Sequence, residues 1–200
     1  IFDLGSAQDE MCFLASCQNL VSRPWVIDDL ETFKLQWSKQ SWKKVVIFVG
    51  NSGADIILGV LPFARELLRV GTQVVLAANE FPSINDVTCT ELSDIISKLK
   101  DENGQLMGVD ISRLLIASSG NDLPVIDLTR VSQDLASLAG NADLVILEGT
   151  GRGIETNLYA RFNCDSVKIG VIMHAEVAPF LGGRLHDCVF KYYEYDEISG

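Results

Sequence analysis

Residues 45–55 read VVIFVGNSGAD, a run of five apolar residues that ends abruptly in a small polar cluster. Uninterrupted β-branched and aromatic residues are typical of a strand that is buried on both faces. Gly50 closes the run, and Asn51 and Asp55 follow it within one turn of chain. The stretch therefore predicts a buried strand that leads into a turn rich in side-chain oxygens.

The same pattern recurs along the 200-residue chain, of which 48% is hydrophobic. Strands that alternate with segments long enough for helices predict a parallel sheet with crossover helices. We therefore expect an α/β fold over residues 43–200, with a mainly parallel, open, Rossmann-like sheet. Helices are predicted at 54–70, with a kink or break at Pro62, and at 83–100. The strand-like runs lie at 45–49, 73–78, 113–117, 143–147, 167–172 and 188–193.

Residues 1–42 differ from the rest, because they carry Trp25, Phe33, Trp37 and Trp42 but no strand-like run. We expect a helical segment here that packs on the sheet or continues a larger helical region upstream. The chain opens on Ile1 and carries no basic-then-apolar leader, so we expect a fragment or a processed piece of a longer protein.

Composition excludes several classes of function. A net charge of −11 with only 16 Lys and Arg argues against nucleic acid and anionic membrane as partners. No stretch reaches the roughly 18 apolar residues of a membrane span, which predicts a soluble protein. Five widely spaced cysteines without a CxxC pair argue against a disulfide framework or a zinc site, and they indicate a reducing, cytoplasmic location. Two histidines offer little for a histidine-rich metal site or a serine–histidine triad.

Four polar or glycine-rich clusters each follow one of the first four predicted strands. In an open parallel sheet, ligands bind beyond the carboxyl ends of the strands, where loops and helix N-termini converge. Four clusters at one end exceed what turn chemistry alone requires, so we expect the functional site at that edge. The clusters are Gly50–Gly53, Asn79–Asp86, Ser118–Asp122 and Glu148–Arg152.

Two residues in these clusters are candidate ligands of a metal ion. Asn51 and Asp86 offer an amide oxygen and a carboxylate, which suit a hard divalent cation. For Asp86 an equally good interpretation is an acid at a helix N-terminus, stabilised by the helix dipole. For Asp55 the helix interpretation is the favoured one.

The stretch EGTGRG, residues 148–153, is a candidate phosphate site. Its glycines leave backbone N–H groups unshielded beside Arg152. The alternative for Arg152 is a surface salt bridge. The stretch fails as a dinucleotide fingerprint, because Ile154 takes the sixth position and the loop follows the fourth strand rather than the first. The chain also has no P-loop motif and no D-x-D after the first strand, which excludes P-loop kinases and covalent aspartyl phosphatases.

Five segments together resemble the metal-dependent damage-control phosphatase family, in the plant-type branch joined or related to pantothenate kinases. They read NSGADIILGVLPFARELL, QVVLAANEFPSINDVT, SGNDLPVIDLTRVSQ, EGTGRGIETNLYA and FLGGRLHDCVFKY. The resemblance covers nearly the whole chain. It implies a metal-dependent phosphatase domain over 43–200 that hydrolyses small phosphorylated metabolites such as 4′-phosphopantetheine or its oxidised forms. It also implies a Mn, Co, Ni or Mg cofactor and association with a pantothenate kinase domain.

The resemblance also assigns residues. Asn51 and Asp86 match the family's Asn and later Asp, which hold the cation, so both are expected to be catalytic. Asn51, Gly149, Thr150, Gly151 and Arg152 are expected to bind the substrate phosphate.

Four positions depart from the family pattern. Gly50 stands where the family has its first metal-binding Asp, and Met173 stands where it has a Lys. Each change removes a charged group aimed at the reaction centre. Thr150 replaces a Met and Ser118 replaces an Asn, and both changes fall in loops that work mainly through their backbone.

Three hypotheses remain open from the sequence. The chain is an active metal-dependent phosphatase, impaired to some degree by Gly50 and Met173; or a degenerate relative that binds phosphometabolites and regulates a kinase partner; or a structural remnant.

Overall fold

The structure, a computed structural model, describes residues 21–196. Within this range one sheet of seven strands has the order β1-β7-β6-β5-β2-β3-β4. All neighbouring strands run parallel except β6 and β7. The predicted α/β class with a mainly parallel sheet is confirmed. The strands are β1 (Ile27–Asp28), β2 (Lys44–Phe48), β3 (Gln73–Ala78), β4 (Leu114–Ser118), β5 (Leu144–Glu148), β6 (Asp165–Val171) and β7 (Cys188–Tyr193).

Helices connect the strands. They are α1 (Leu30–Lys39), α2 (Leu61–Arg69), α3 (Cys89–Leu99), α4 (Gln133–Ala139) and α5 (Ala178–Leu181). Further helical segments are π-helical at Asp55–Val60 and Thr150–Thr156 and 3₁₀ at Leu128–Arg130. Among these described helices none is long and apolar enough to cross a membrane.

The predicted helix at 54–70 is present, and Pro62 does not break it. The π-helical segment Asp55–Val60 runs directly into α2, and Pro62 stands at the start of α2. Pro62 has no N–H to donate to the preceding turn, and the helical hydrogen-bond pattern changes from π to α at this point in the chain.

The predicted helix at 83–100 begins later than expected, at Cys89. Thr88 caps it: its side chain accepts from the Glu91 N–H, and the Glu91 carboxylate accepts from the Thr88 N–H, at 3.2 and 2.8 Å. This reciprocal capping box satisfies two backbone donors and fixes the start of α3. The preceding residues form a loop instead.

The described part of the N-terminal segment packs on the sheet, as one of the sequence interpretations expects. The Phe33 ring of α1 stacks on Trp42 with 5.2 Å between centroids and lies 5.5 Å from Phe190 of β7. The expectation that residues 1–42 contain no strand is wrong, because Ile27–Asp28 pairs with β7. Two residues are too few to show a periodic pattern. The helices expected within 1–20 lie outside the described residues, and the division at residue 43 stays a prediction.

The order of the strands positions the site. From β2 the chain moves outward to β3 and β4, and then returns to β5 on the other side of β2. Helices that follow β2 and β5 therefore leave the sheet on opposite sides, which opens a crevice at the carboxyl ends of these two strands. Residues after Phe48 and at Glu148 border this crevice.

Candidate active site

The four polar clusters lie along one edge of the sheet, as predicted. Asn51 follows β2, Asn79 follows β3, Ser119 follows β4 and Glu148 ends β5. Because these four strands are mutually parallel neighbours, their carboxyl ends point the same way. Backbone bonds join the loops, since Ser119 N–H donates to the Ala78 carbonyl at 2.7 Å.

Asn51 and Asp86 lie side by side. They form an isolated antiparallel bridge, flanked by a 2.8 Å bond from the Ser52 N–H to the Asn85 carbonyl and a 2.9 Å bond from the Val87 N–H to the Gly50 carbonyl. Backbone pairing therefore brings together two residues that sequence analysis named as ligands of one cation.

The helix interpretation is wrong for Asp86 and confirmed for Asp55. Asp86 precedes the cap of α3, so it is not a first-turn acid of that helix. Asp55 is the first residue of the π-helical segment, and its carboxylate accepts from Asn51 Nδ2 at 3.0 Å.

A buried polar network holds the Asp86 carboxylate. Arg152 Nη2 donates to Asp86 Oδ2 and to Asn79 Oδ1, both at 2.9 Å, and the side chains of Arg152 and Asp86 are only 3% and 5% exposed. Asn79 Nδ2 donates to the Leu123 carbonyl at 3.0 Å. The alternative of a surface salt bridge for Arg152 is therefore wrong, because the ion pair is buried.

No sequence pattern assigns a role to Asn79, yet its side chain links the ends of β3 and β5 through Arg152. The signal that could have found it is an amide directly after a buried apolar strand, since a polar group there needs a partner. The partner itself, 73 residues away, could not be read from the sequence.

Glu148 is a second residue that sequence analysis left without a role. Its Oε2 accepts the Gly50 N–H at 2.6 Å, across the crevice between β5 and β2. Burial raises the pKa of this carboxyl to about 7, and the nearby Asp55 and Asp86 carboxylates add to the rise, while the Gly50 N–H and Arg152 oppose it. The group therefore changes charge near neutral pH in the protein without a cation.

The predicted phosphate loop has a constrained backbone. Gly149 has φ +109°, and its N–H donates to the Ile169 carbonyl at 3.0 Å, so that donor is used within the fold. At Gly151 a Cβ would stand 2.4 Å from the Pro124 carbonyl oxygen, which explains the glycine. Thr150, Gly151 and Arg152 open the next helical segment, where N–H groups have no partner within the helix. Phosphate binding by this loop stays a prediction.

The other two departures from the family pattern lie at the ends of strands. Ser118 ends β4, and its hydroxyl accepts the Gly120 N–H at 3.1 Å. Met173 follows β6 and is 53% exposed, so its side chain makes no part of the core.

The oxygens at the crevice fit a hard divalent cation that retains several waters. Residues 21–196 contain no group of three or more His, Cys, Asp or Glu side chains that could hold a metal. Asn51 and Asp86 provide one amide oxygen and one carboxylate, and within this range neither Asn51 Oδ1 nor Asp86 Oδ1 accepts a hydrogen bond. Magnesium-like ions are commonly bound through one or two carboxylates together with water and substrate phosphate.

A cavity of 720 Å³ opens between the helical segment after β5 and α5. Its lining is mainly apolar and includes Ile154, Leu158, Tyr159, Phe180 and Leu181. His174 and Glu155, whose side chains are hydrogen-bonded, add polar groups to one part of the wall. Thr150, at the start of that helical segment, donates its hydroxyl to the Val171 carbonyl of β6 at 2.7 Å.

The chain resembles known proteins in sequence and in structure. It is 75% identical over 201 residues to a damage-control phosphatase of Arabidopsis thaliana, an alignment that covers 97% of this chain and 55% of the relative. It is 40% identical to pantothenate kinase 2 of Oryza sativa subsp. japonica, with 86% and 22% covered, and 30% identical to a 4′-phosphopantetheine phosphatase of Mus musculus, with 96% and 30% covered. The chain thus spans about half the length of the first relative and less of the others.

The fold matches a solved structure of a DUF89 family protein from Pyrococcus horikoshii. The TM-score is 0.66 at 19% identity, with 92% of this chain and 57% of the other covered. The model of the damage-control phosphatase ARMT1-like domain matches residues 1–189. The chain belongs to the damage-control phosphatase ARMT1-like domain family.

Proposed function

We propose that the chain is the catalytic part of a divalent-metal-dependent phosphatase that hydrolyses small phosphate monoesters, with 4′-phosphopantetheine or its oxidised forms as substrates. The observation that carries the proposal is the pairing of Asn51 with Asp86 at the crevice where the strand order reverses. Membership of the family supports phosphatase chemistry at this arrangement.

Each residue has a distinct role in the proposal. Asn51 and Asp86 hold a Mn, Co, Ni or Mg ion through their oxygens. That ion supplies Lewis acidity, which neutralises charge on the phosphoryl group and lowers the pKa of water. Arg152 orients the Asp86 carboxylate through its 2.9 Å contact, and it adds positive charge beside the phosphoryl group. The N–H groups of Thr150, Gly151 and Arg152 receive the non-reacting phosphate oxygens.

The relatives and the cavity support the proposed substrate class. A phosphatase of Mus musculus whose name states the substrate 4′-phosphopantetheine is 30% identical to the chain. The mainly apolar cavity of 720 Å³ beside the phosphate loop has room for an uncharged arm attached to the phosphate. Association with a pantothenate kinase domain is part of the same proposal, since two plant pantothenate kinase 2 proteins contain a related region.

A second candidate function rests on Gly50 and Met173. If the charges missing at these positions are essential, the chain binds phosphometabolites without turnover and acts as a regulatory subunit. The exposed thioether of Met173 cannot stabilise charge as a lysine would.

A metal-supplemented substrate screen tests the proposal. Phosphate release from 4′-phosphopantetheine, its oxidised forms and a panel of sugar phosphates is measured with Mn²⁺, Co²⁺, Ni²⁺ or Mg²⁺ and with a chelator. We expect turnover with metal that falls by more than about tenfold in Asp86→Asn. If no ester is hydrolysed, a thermal shift decides between the remaining hypotheses, because a ligand at about 100 times its Kd adds about 2.7 kcal/mol to the free energy of unfolding. A shift then supports the regulatory function, and its absence supports a structural remnant.

A further inference from the structure

The Glu148 carboxylate fills the space that a side chain at position 50 would occupy. Its Oε2 lies 2.6 Å from the Gly50 nitrogen and 2.9 Å from the point where a Cβ on residue 50 would stand. Gly50 is not among the glycines with positive φ, so its backbone does not require a glycine. The space exists because position 50 has no side chain, and a carboxylate from the neighbouring strand enters it.

Arg152 is ion-paired with Asp86, while the Glu148 carboxylate lies near the same guanidinium without forming an ion pair among the described residues. Arg152 Nη1 lies 3.5 Å from the same Cβ point, beside Glu148, while Arg152 Nη2 contacts Asp86 at 2.9 Å. Without a cation, the ionised form of Glu148 would be a buried charge with no counter-charge of its own, and such a charge is costly. A cation between the carboxylates would remove that cost.

The oxygens needed for such a cation are available. Glu148 Oε2 is used by the Gly50 N–H, but Glu148 Oε1 has no hydrogen bond or ion pair within residues 21–196. Asp86 Oδ1 and Asn51 Oδ1 likewise accept no hydrogen bond within these residues. Two carboxylates and one amide form an all-oxygen donor set, which suits Mg²⁺ or Mn²⁺ better than softer ions.

We propose that Glu148 supplies the cation-binding carboxylate that position 50 lacks, so that Glu148, Asp86 and Asn51 together hold a hard divalent cation. The inference rests on the proposed function only in its need for a cation. On this proposal, the Glu148 carboxylate at the end of β5 compensates for the carboxylate that Gly50 lacks after β2. An aspartate at position 50 and the present position of the Glu148 carboxylate exclude each other sterically.

Isothermal titration with Mn²⁺ tests this replacement on four proteins: the unchanged chain, Glu148→Gln, Gly50→Asp and the double variant. Glutamine keeps the oxygen that accepts the Gly50 N–H but removes the charge. We expect Glu148→Gln to weaken Mn²⁺ binding by at least about tenfold. Gly50→Asp should restore most of that loss in the Glu148→Gln background and should have a much smaller effect on the unchanged chain, because there the new side chain meets the Glu148 carboxylate.

Controls separate this inference from the proposed function. Glu102→Gln removes an exposed acid and should leave Mn²⁺ affinity unchanged. If Asp86→Asn abolishes Mn²⁺ binding while Glu148→Gln binds as the unchanged chain does, the role of Glu148 is refuted and the cation site at Asn51 and Asp86 stands. If the unchanged chain binds no Mn²⁺, the role of Glu148 and the proposed metal-dependent function both fail. Should Glu148→Gln not fold by circular dichroism, Glu148→Asp is titrated instead, and its shorter reach must also weaken binding.

Discussion

At the scale of single residues, the site depends on charges that are held out of water. Asp86 and Arg152 form a buried pair, and Glu148 lies beside them with a pKa raised by burial. Such groups are costly unless each has a partner, so removal of one partner should have large effects. In an exposed ion pair, such as that of Arg69 with Glu66, water solvates both charges, so removal of one partner should have a small effect.

Arg152→Ala should lower the free energy of unfolding by about 3–5 kcal/mol, because it leaves the Asp86 carboxylate buried without a counter-charge. The matched control is Arg69→Ala, which removes an exposed arginine and should cost less than about 1 kcal/mol. Urea denaturation of both variants measures the difference. Equal midpoints for the two variants would mean that the buried pair contributes no more than an exposed one.

Glu148 should make the stability of the metal-free protein depend on pH. The folded-state pKa of about 7 lies above the ordinary 4.5, so between these values the folded protein retains a proton that the unfolded chain has released. Its stabilising contribution is complete below the lower value and is lost as pH rises through the upper one, by about 3 kcal/mol in total. Urea denaturation from pH 5 to pH 8 in chelator should show this decline, and Glu148→Gln should show a decline smaller by that amount. Parallel curves of unfolding free energy against pH for the two proteins would contradict this prediction.

The sequence predicts the residues of the site better than their contacts. Asn51 and Asp86 could be named because polar residues directly after buried strands are a local signal. The ion pair of Arg152 with Asp86 joins residues 66 positions apart, and the Gly50–Glu148 bond joins residues 98 apart. Neither contact produces a pattern in the sequence around its residues. Only the order of the strands, which places β5 next to β2, brings those residues together.

At the scale of elements, the six strands named in the sequence are predicted closely, and so is the helical run Asp55–Arg69, whereas the start of α3 is not. A central parallel strand such as β2 is an unbroken apolar run because both of its faces are buried, so its limits are visible in the sequence. The start of α3 is different, because Ile84 and Val87 extend the helical pattern upstream. Ile84 is in fact 87% exposed with φ 51°, outside any helix. The cap at Thr88, rather than hydrophobic periodicity, sets the boundary.

A substitution at Thr88 tests this conclusion, because Thr88 connects α3 to the edge of the sheet where Asp86 lies. Its backbone pairs with Asn79, and its side chain caps the helix at 3.2 Å. Thr88→Ala should lower the free energy of unfolding by about 1 kcal/mol, and Thr88→Ser should retain most of it. Thr90→Ala, at an exposed position in the same helix, is the control and should change little. Equal melting temperatures for the Thr88→Ala and Thr90→Ala variants would show that the cap does not stabilise the protein.

At the scale of the whole molecule, the switch in strand order makes a site from segments that are far apart in sequence. β2, β3 and β5 each end at the crevice, where Asn51 and Asn79 follow the first two strands and Glu148 ends the third. The fold class follows from the alternation of strands and helices, so it could be predicted. Strand β1 and its pairing with β7 could not, because two residues carry no pattern.

The central claim is that a divalent cation binds at this crevice, and anomalous diffraction from crystals grown with Mn²⁺ measures its position directly. We predict one strong anomalous peak within about 2.0–2.6 Å of side-chain oxygens of both Asn51 and Asp86, the distance range of oxygen ligands to hard cations. A peak bound elsewhere on the molecule, or no peak at Mn²⁺ concentrations that support turnover, would contradict the account.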